Sequence, residues 1–112
     1  MKKNLVIINN EKCIKKGDSF YCENIEISSI TNLLSKTLNI KLILRELAVN
    51  PIHKISNSKV ITSLNIFIFI KNIINSAIRD NAKYLIISVT PYTFTSFLFL
   101  LLFKKKIFLY LR

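Results

Sequence analysis

The sequence predicts an α/β fold built on an open, mostly parallel sheet of about four to five strands with three helices. Short apolar runs rich in β-branched and aromatic residues alternate along the chain with longer segments whose apolar residues recur at helical spacing. The short runs are apolar throughout, which is typical of parallel strands covered by helices on both faces. The end of the chain also has the order strand, helix, strand, which is the βαβ unit of a parallel sheet.

The closing unit shows this pattern most clearly. Lys83–Val89 is a β-branched apolar run and is predicted to be a buried strand. A helix is predicted from Pro91 to Phe103. Thr90 can cap it with its hydroxyl, and Pro91 suits the first helical position because its missing N–H would have no intrahelical partner there. Three lysines are then predicted to form a solvated turn, and Ile107–Leu111 is predicted to be a second buried strand.

The first half of the chain is predicted to supply the strands beside this unit. Asn4–Ile8 is a compact apolar run and is predicted to be the first strand, and Ile40–Arg45 the second. Between them, Ile27–Leu38 has apolar residues every three or four positions, which indicates an amphipathic helix ending at Asn39. Glu11–Asn24 mixes charged residues, glycine and aromatics, and we expect an irregular loop or small hairpin outside the sheet.

A linker and a long helix are predicted to join the two halves. The linker contains Pro51, and Ile52–Ile55 is expected to add a short edge strand. Ser58 is predicted to cap a helix from Lys59 to Asp80, with polar residues on one side and apolar residues over most of the rest. We expect a single domain, residues 1–112, and an incomplete one, because one glycine and two prolines leave little turn chemistry for a finished small fold.

Composition and charge narrow the function classes. Hydrophobic residues make up 51% of the chain and the mean hydropathy is +0.39, which indicates either a membrane or a missing partner domain. The formal net charge is +11. The lysines are scattered among many Asn and Ile residues, a mixture that AT-rich coding produces without selection for a polyanionic partner. A nucleic-acid-binding module rests on charge alone, because no known nucleic-acid-binding motif is present, so nucleic acid is not an expected partner.

The cysteines and the histidine indicate no metal site. Cys13 and Cys22 could close a small loop by a disulfide in an extracellular protein, but the basic N-terminus lacks the long apolar core of a signal peptide. We therefore expect a cytoplasmic protein with a reduced cysteine pair. Two Cys and one His without paired spacing do not form a zinc ligand set, so neither a metal nor a cofactor is predicted.

Candidate binding residues follow from the sheet. In open α/β sheets ligands bind at the carboxyl ends of the strands, so the residues just after each predicted strand are the candidates. A turn is the favoured alternative for Asn9 and Asn10, and the helix cap is the favoured alternative for Thr90. No catalytic residue is assigned. The predicted substrate-binding residues are Asn9, Asn10, Ser88, Thr90, Tyr92 and Arg112.

Three segments carry a resemblance to a known family. Lys2–Glu11, the strand and loop Ile86–Pro91, and the closing Lys104–Arg112 resemble the N-terminal Rossmann-like domain of a GT-B glycosyltransferase. The group resembled is the large family related to retaining, nucleotide-sugar-dependent enzymes of cell-surface polysaccharide synthesis. In that group a strand similar to Ile107–Arg112 runs on into a Ser-Asp-Gly stretch, and this chain ends just before it. The resemblance therefore implies a truncated, partial Rossmann-like domain.

The resemblance implies a sugar transfer that this chain cannot perform alone. This domain would shape the acceptor side of a cleft, and a missing C-terminal domain would hold most of the nucleotide-sugar. The acceptor would be a cell-surface glycan or a lipid-linked sugar, with possible peripheral contact at the inner face of the membrane. Two departures bear on the site: Asn9–Lys12 replaces a glycine-rich loop, and Thr90–Tyr92 lacks the histidine that many relatives carry.

A small basic membrane protein is the main alternative. Residues 84–103 have about the length needed to span a bilayer, and Lys104–Lys106 would provide a positive flank. Pro91 and several hydroxyl residues interrupt this segment, and the uninterrupted apolar run is only Phe97–Phe103. Ile107–Leu111 would also have no role after the lysines. These features favour a buried helix over a membrane span.

Overall fold

The computed structural model describes residues 3–16, 19–22, 25–46, 53–55, 58–87 and 90–110. These residues form an α/β fold with three helices and a sheet whose main part is parallel. In chain order the elements are β1 (Lys3–Lys16), β2 (Ser19–Cys22), α1 (Ile25–Leu34), β3 (Leu38–Glu46), β4 (His53–Ile55), β5 (Lys59–Ser63), α2 (Ile66–Arg79), β6 (Lys83–Ile87), α3 (Pro91–Leu102) and β7 (Ile107–Tyr110).

Five strands form the parallel part of the sheet, in the order β5-β3-β1-β6-β7. Strands β3 and β5 lie on one side of β1, and β6 and β7 lie on the other side. This is the doubly wound arrangement of a partial Rossmann-like sheet. The predicted fold class is therefore confirmed, as is the closing βαβ unit of β6, α3 and β7. The predicted burial of the last strand is wrong, because β7 lies at the edge of the described sheet and Phe108, Leu109 and Tyr110 are exposed.

Two apolar clusters cover the two faces of the sheet. Along β1, Leu5 and Ile7 belong to the cluster under α1, whereas Val6 and Ile8 belong to the cluster under α2 and α3. Because successive side chains of a strand point to opposite faces, a strand with helices on both sides needs apolar residues at every position. The uninterrupted run at the start of the chain follows from this requirement.

The predicted start of α3 is confirmed. Thr90 is the N-cap: its Oγ1 accepts from Thr93 N at 3.3 Å, and Thr93 Oγ1 accepts from Thr90 N at 2.7 Å. Pro91 is the first helical residue. These two reciprocal bonds form a capping box, which satisfies backbone donors that the helix itself leaves without partners.

The end of α3 is closed by the lysine turn. The N–H of Lys104 donates to the carbonyl of Leu101 at 3.0 Å, and the N–H of Lys105 donates to Leu100 at 3.1 Å. These bonds form a Schellman motif, which requires a left-handed residue just after the cap. Lys104 occupies that position with φ of 57°, where glycine is the usual residue.

The predicted long helix from Lys59 to Asp80 is wrong in its first part. Lys59–Ser63 is strand β5, which pairs in parallel with Lys41–Arg45 of β3. The three central residues of this strand, Val60, Ile61 and Thr62, are β-branched and favour an extended backbone when a partner strand is available. The helix begins after Asn65, whose Oδ1 accepts from Ile68 N at 3.0 Å, so Ser58 is not the cap.

The segment after the first apolar run also differs from its prediction. Asn9 and Asn10 do not end the strand, because β1 continues to Lys16 after a shift in its register with β3 between Ile8 and Lys12. The predicted small hairpin is present, but it belongs to the sheet: β1 pairs with β2 in antiparallel fashion, and β2 pairs with β4. The short strand predicted at Ile52–Ile55 is confirmed as β4.

Helix α1 ends earlier than predicted. Residues 35–37 form a turn, and Leu38 and Asn39 already belong to β3. Ser35 Oγ donates to the carbonyl of Asn32 at 2.9 Å, and the Thr37 N–H reaches the carbonyl of Leu34 at 3.1 Å. Hydroxyl side chains that bond to nearby carbonyls compete with helix continuation, so the chain turns here.

The segment considered as a membrane span is divided between two elements. Lys83–Ile87 is a strand in the middle of the sheet, and Pro91–Leu102 is a separate helix of 12 residues. Among the described helices, none combines the length and the apolar character that crossing a bilayer requires.

Candidate functional site

The switch point of the sheet lies between β1 and β6. From β1 the chain builds outward to β3 and β5 on one side, and β6 and β7 occupy the other side. At such a point the connections that leave the carboxyl ends of neighbouring strands run in opposite directions, which opens a crevice where ligands bind in this class of fold. Of the predicted site residues, Asn9 lies in β1 just beyond its pairing with β6, and Thr90 caps the helix that follows β6.

The antiparallel hairpin forms a wall beside the switch point. Cys13 of β1 pairs with Glu46 of β3 on one side and with Cys22 of β2 on the other. Strand β2 therefore lies on the same side of β1 as β6, which pairs with β1 only from Leu5 to Ile8. The hairpin thus projects past the carboxyl end of β6, in the place where the crevice would otherwise be open.

Asn9 connects the two strands at this point. Its Nδ2 donates to the carbonyl of Ile87 at 2.6 Å, and its side chain is buried. The bond bridges β1 and β6 just where their backbone pairing stops at Ile8 and Ile86. Asn9 therefore links β1 to β6 beside the crevice. Its role in binding substrate stays a prediction.

Thr90 has a structural task as well, because its hydroxyl belongs to the capping box of α3. The other predicted residues are located less fully. Asn10 and Tyr92 lie in β1 and α3 with side chains outside the described part, and Ser88 and Arg112 are outside the described residues altogether. The structure thus brings Asn9 close to the strand end that leads to Thr90.

A polar network that the sequence reading missed lies at the opposite, amino-terminal edge of the sheet. Lys41 Nζ contacts Asp80 Oδ2 at 2.7 Å, joining β3 to the end of α2. Ser76 Oγ donates to the same Oδ2 at 2.7 Å. The Ser76 hydroxyl proton is used in that bond, so the Tyr84 hydroxyl, 2.9 Å from Ser76 Oγ, donates to it.

The network shifts the pKa of two of its members. Partial burial alone would raise the pKa of Asp80, but hydrogen bonds from Lys41 and Ser76, with the charges of Lys41 and Lys59, outweigh it and hold the pKa below its usual value. Burial raises the pKa of Tyr84, the Ser76 hydrogen bond opposes that change, and the negative charge of Asp80 adds to it. Asp80 is therefore ionised and Tyr84 neutral near neutral pH. The network therefore joins β3, the end of α2 and β6.

The signals for this network were faint in the sequence. Asp80 is the only acidic residue after position 46, and Tyr84 is the only aromatic residue in its apolar strand. Neither observation identifies a partner. Within the described ranges, no three His, Cys, Asp or Glu side chains come together in a group that could hold a metal ion.

Comparisons of the chain with protein-family models, with curated proteins and with solved structures gave no significant match.

Proposed function

We propose that this chain forms the acceptor-side, N-terminal Rossmann-like domain of a GT-B glycosyltransferase that uses a nucleotide-sugar. The observation that supports this proposal is the parallel order β5-β3-β1-β6-β7, with its reversal at β1 and β6. A doubly wound sheet of this order binds ligands at the carboxyl edge. The resemblance of the chain's strands and loops to this family supplies the chemistry.

The carboxyl edge suits one wall of a cleft better than a complete pocket. The β1–β2 hairpin stands on one side of the switch point, and the N-terminus of α3 at Thr90 lies on the other. Asn9–Lys12 replaces the glycine-rich loop that lets a phosphate approach the backbone after a first strand. The proposal therefore assigns the acceptor to this domain and the nucleotide-sugar to a second domain.

In this proposal the reaction transfers a sugar from the nucleotide-sugar to an acceptor hydroxyl. The nucleoside diphosphate leaves, and the proton of the hydroxyl is released. Ser88, Tyr92 and Arg112 are the residues from which acceptor contacts are expected, since they follow β6 and β7. The chain alone would bind acceptor weakly and transfer nothing, because the donor site belongs to the second domain. The proposal places the protein in the cytoplasm, where Cys13 and Cys22 stay reduced.

Amide NMR of the isotope-labelled chain tests this proposal. Methyl glycosides of common hexoses serve as acceptor probes and UDP-glucose as a donor probe. We expect the methyl glycosides to move the amide signals around Asn9 and Thr90 and to leave those around Lys83, at the amino edge, unchanged. Arg112→Ala should weaken the response, whereas Arg79→Ala, at an exposed arginine on α2, should not.

Two results would contradict the proposal. Shifts confined to the amino edge would place binding on the wrong side of the sheet. A stronger response to UDP-glucose than to any methyl glycoside, centred on Asn9, would assign the donor rather than the acceptor to this domain.

A further inference from the structure

The outward face of α3 is apolar along its whole length. Phe94, Leu98, Leu101 and Leu102 follow one another at intervals that place them on one side of a helix, and all four are exposed. We name these four residues the α3 stripe. No charged residue occurs from position 91 to 103. A helix at the surface of a water-soluble domain normally carries polar residues on its outer face. We therefore expect another molecule to bind over the stripe.

The neighbouring helix shows the usual pattern on the same side of the sheet. The exposed side of α2 includes Lys71, Asn75 and Arg79 between its apolar residues. Leu64, Phe67 and Ile68 are also exposed at the start of α2, but the charged and polar residues interrupt the apolar side of the helix beyond them. The contrast makes the α3 stripe a property of α3 and not of the whole helical layer.

A lysine-lined groove adjoins the C-terminal end of the stripe. It has a volume of about 760 Å³ and lies at the amino-terminal edge of the sheet, next to Asn81 and Ala82. Five lysines line it, from the starts of β1 and β6 and from the turn after α3. We name this feature the lysine groove; its lysines are Lys3, Lys83, Lys104, Lys105 and Lys106.

Among the side chains that the structure describes, the one carboxylate near the lysines of the groove is that of Asp80. Asp80 is the only acidic residue in positions 47–112, and its carboxylate is already bonded to Lys41. Lys105 Nζ donates to the carbonyl of Asp80 at 3.2 Å, an interaction that leaves its positive charge uncompensated. The groove is therefore a site of positive potential directly beside exposed leucines.

From this juxtaposition we infer that the α3 stripe and the lysine groove together form a docking surface for an anionic phospholipid membrane. This docking is independent of the proposed glycosyl transfer. Leu101 and Leu102 enter the acyl boundary, while Lys104 and Lys106 lie at the level of the lipid phosphates. A peripheral surface of this kind gains affinity from buried apolar area and from attraction to anionic lipid at the same time.

The charge distribution favours an anionic membrane over a second copy of the chain and over a nucleic acid. A second copy of the chain also carries a formal charge of +11, and its own lysines would lie close to the groove, so the two copies would repel. A nucleic acid would use the lysines but would leave the leucines exposed to water. Of these three occupants, an anionic membrane is the one that satisfies both parts of the surface.

Vesicle co-sedimentation tests the inference. We expect the full chain to bind phosphatidylcholine vesicles that contain roughly a third phosphatidylglycerol, and to bind pure phosphatidylcholine at least about tenfold less. Lys104→Gln with Lys106→Gln should lower the partition coefficient about 25-fold, or about fivefold for each lysine. A matched double substitution of two exposed lysines elsewhere, Lys36→Gln with Lys71→Gln, should lower it about twofold or less.

The apolar half of the surface has an equally close control. Leu102 on α3 is 75% exposed and Leu33 on α1 is 65% exposed, and the two leucines lie on opposite faces of the sheet. Leu102→Gln should weaken vesicle binding about tenfold, and Leu33→Gln should leave it within about twofold. Equal effects of the two substitutions would overturn the inference.

A fluorescence experiment reports the location directly. The chain has no tryptophan, so Leu102→Trp and Leu33→Trp each carry a single reporter. On addition of anionic vesicles, the Leu102→Trp emission should move to shorter wavelength and be quenched by lipids brominated on the acyl chain. The Leu33→Trp emission should not change. Failure of Leu102→Trp to respond, or binding to duplex DNA at about 0.15 M salt with no binding to vesicles, would overturn membrane docking.

Discussion

The chain of hydrogen bonds from Tyr84 through Ser76 to Asp80 predicts a specific departure from additivity. Tyr84 is fully buried, so its hydroxyl can meet its hydrogen-bonding need only at Ser76 Oγ, 2.9 Å away. Tyr84→Phe removes that bond but leaves the ring in place and no polar atom stranded. We expect it to lower the free energy of unfolding by about 1 kcal/mol.

Ser76→Ala removes the same bond at a higher cost. It strands the buried Tyr84 hydroxyl and takes a donor from the Asp80 carboxylate, and each loss costs about 1–3 kcal/mol. We expect a total of about 2–6 kcal/mol. In the Ser76→Ala background, however, Tyr84→Phe removes the stranded hydroxyl, so it should cost nothing or restore stability. The coupling between the two sites should therefore be about 1 kcal/mol or more.

Urea unfolding followed by far-UV circular dichroism measures all four members of this cycle. Tyr110→Phe, at an exposed tyrosine of β7, is the control and should change stability by less than about 0.5 kcal/mol. If Tyr84→Phe costs the same in both backgrounds, within about 0.5 kcal/mol, the Tyr84 hydroxyl does not depend on Ser76 and does not donate to it.

Three further predictions concern single features of the fold. Because the pKa of Asp80 is lowered, its ion pair with Lys41 should stabilise the protein above pH about 4 and lose this effect as the pH falls through the folded-state pKa. Asp80→Asn should therefore reduce the loss of stability at acid pH, measured as the free energy of unfolding against pH. An unchanged profile would contradict this prediction. Lys104→Gly should raise the free energy of unfolding by about 1 kcal/mol in urea titrations, because glycine has no Cβ penalty at positive φ; a loss of stability would contradict it. Cys13 and Cys22 lie directly opposite each other in an antiparallel pair and are not joined by a disulfide. Thiol–disulfide exchange with oxidised glutathione should link them, with a mass loss of two hydrogens and a gain of about 2–3 kcal/mol, whereas a mixed glutathione adduct as the end product would refute this.

Much of the closing unit was predictable because its signals are local. Thr90 and Pro91 lie next to the helix that they begin, and the capping bonds span only three residues. The strand before that helix is apolar after Lys83 because β6 lies inside the sheet and packs on both faces. Predictions of this kind depend only on neighbouring residues, and the structure confirms them.

The candidate site was less accessible to sequence reading. The rule that ligands bind at strand ends identified the carboxyl edge, but it gave no sign that Asn9 bonds to Ile87, 78 positions away. The lysine groove was equally hidden in the sequence, because Lys3, Lys83 and Lys104 come from three separate parts of the chain. In the sequence these lysines were only three among 17 basic residues.

Periodicity and short-range hydrogen bonds were enough to predict the alternation of strands and helices, the N-cap of α3 and the apolar core of the parallel sheet. Assigning Lys59–Ser63 as a strand and not the first turns of a helix required the three-dimensional structure, since only pairing with β3 distinguishes the two conformations. The same holds for the cysteine hairpin, which belongs to the sheet, and for the lysines of the groove, which lie together beside the α3 stripe. Those outcomes depend on contacts between residues far apart in the chain, and such contacts leave no local pattern.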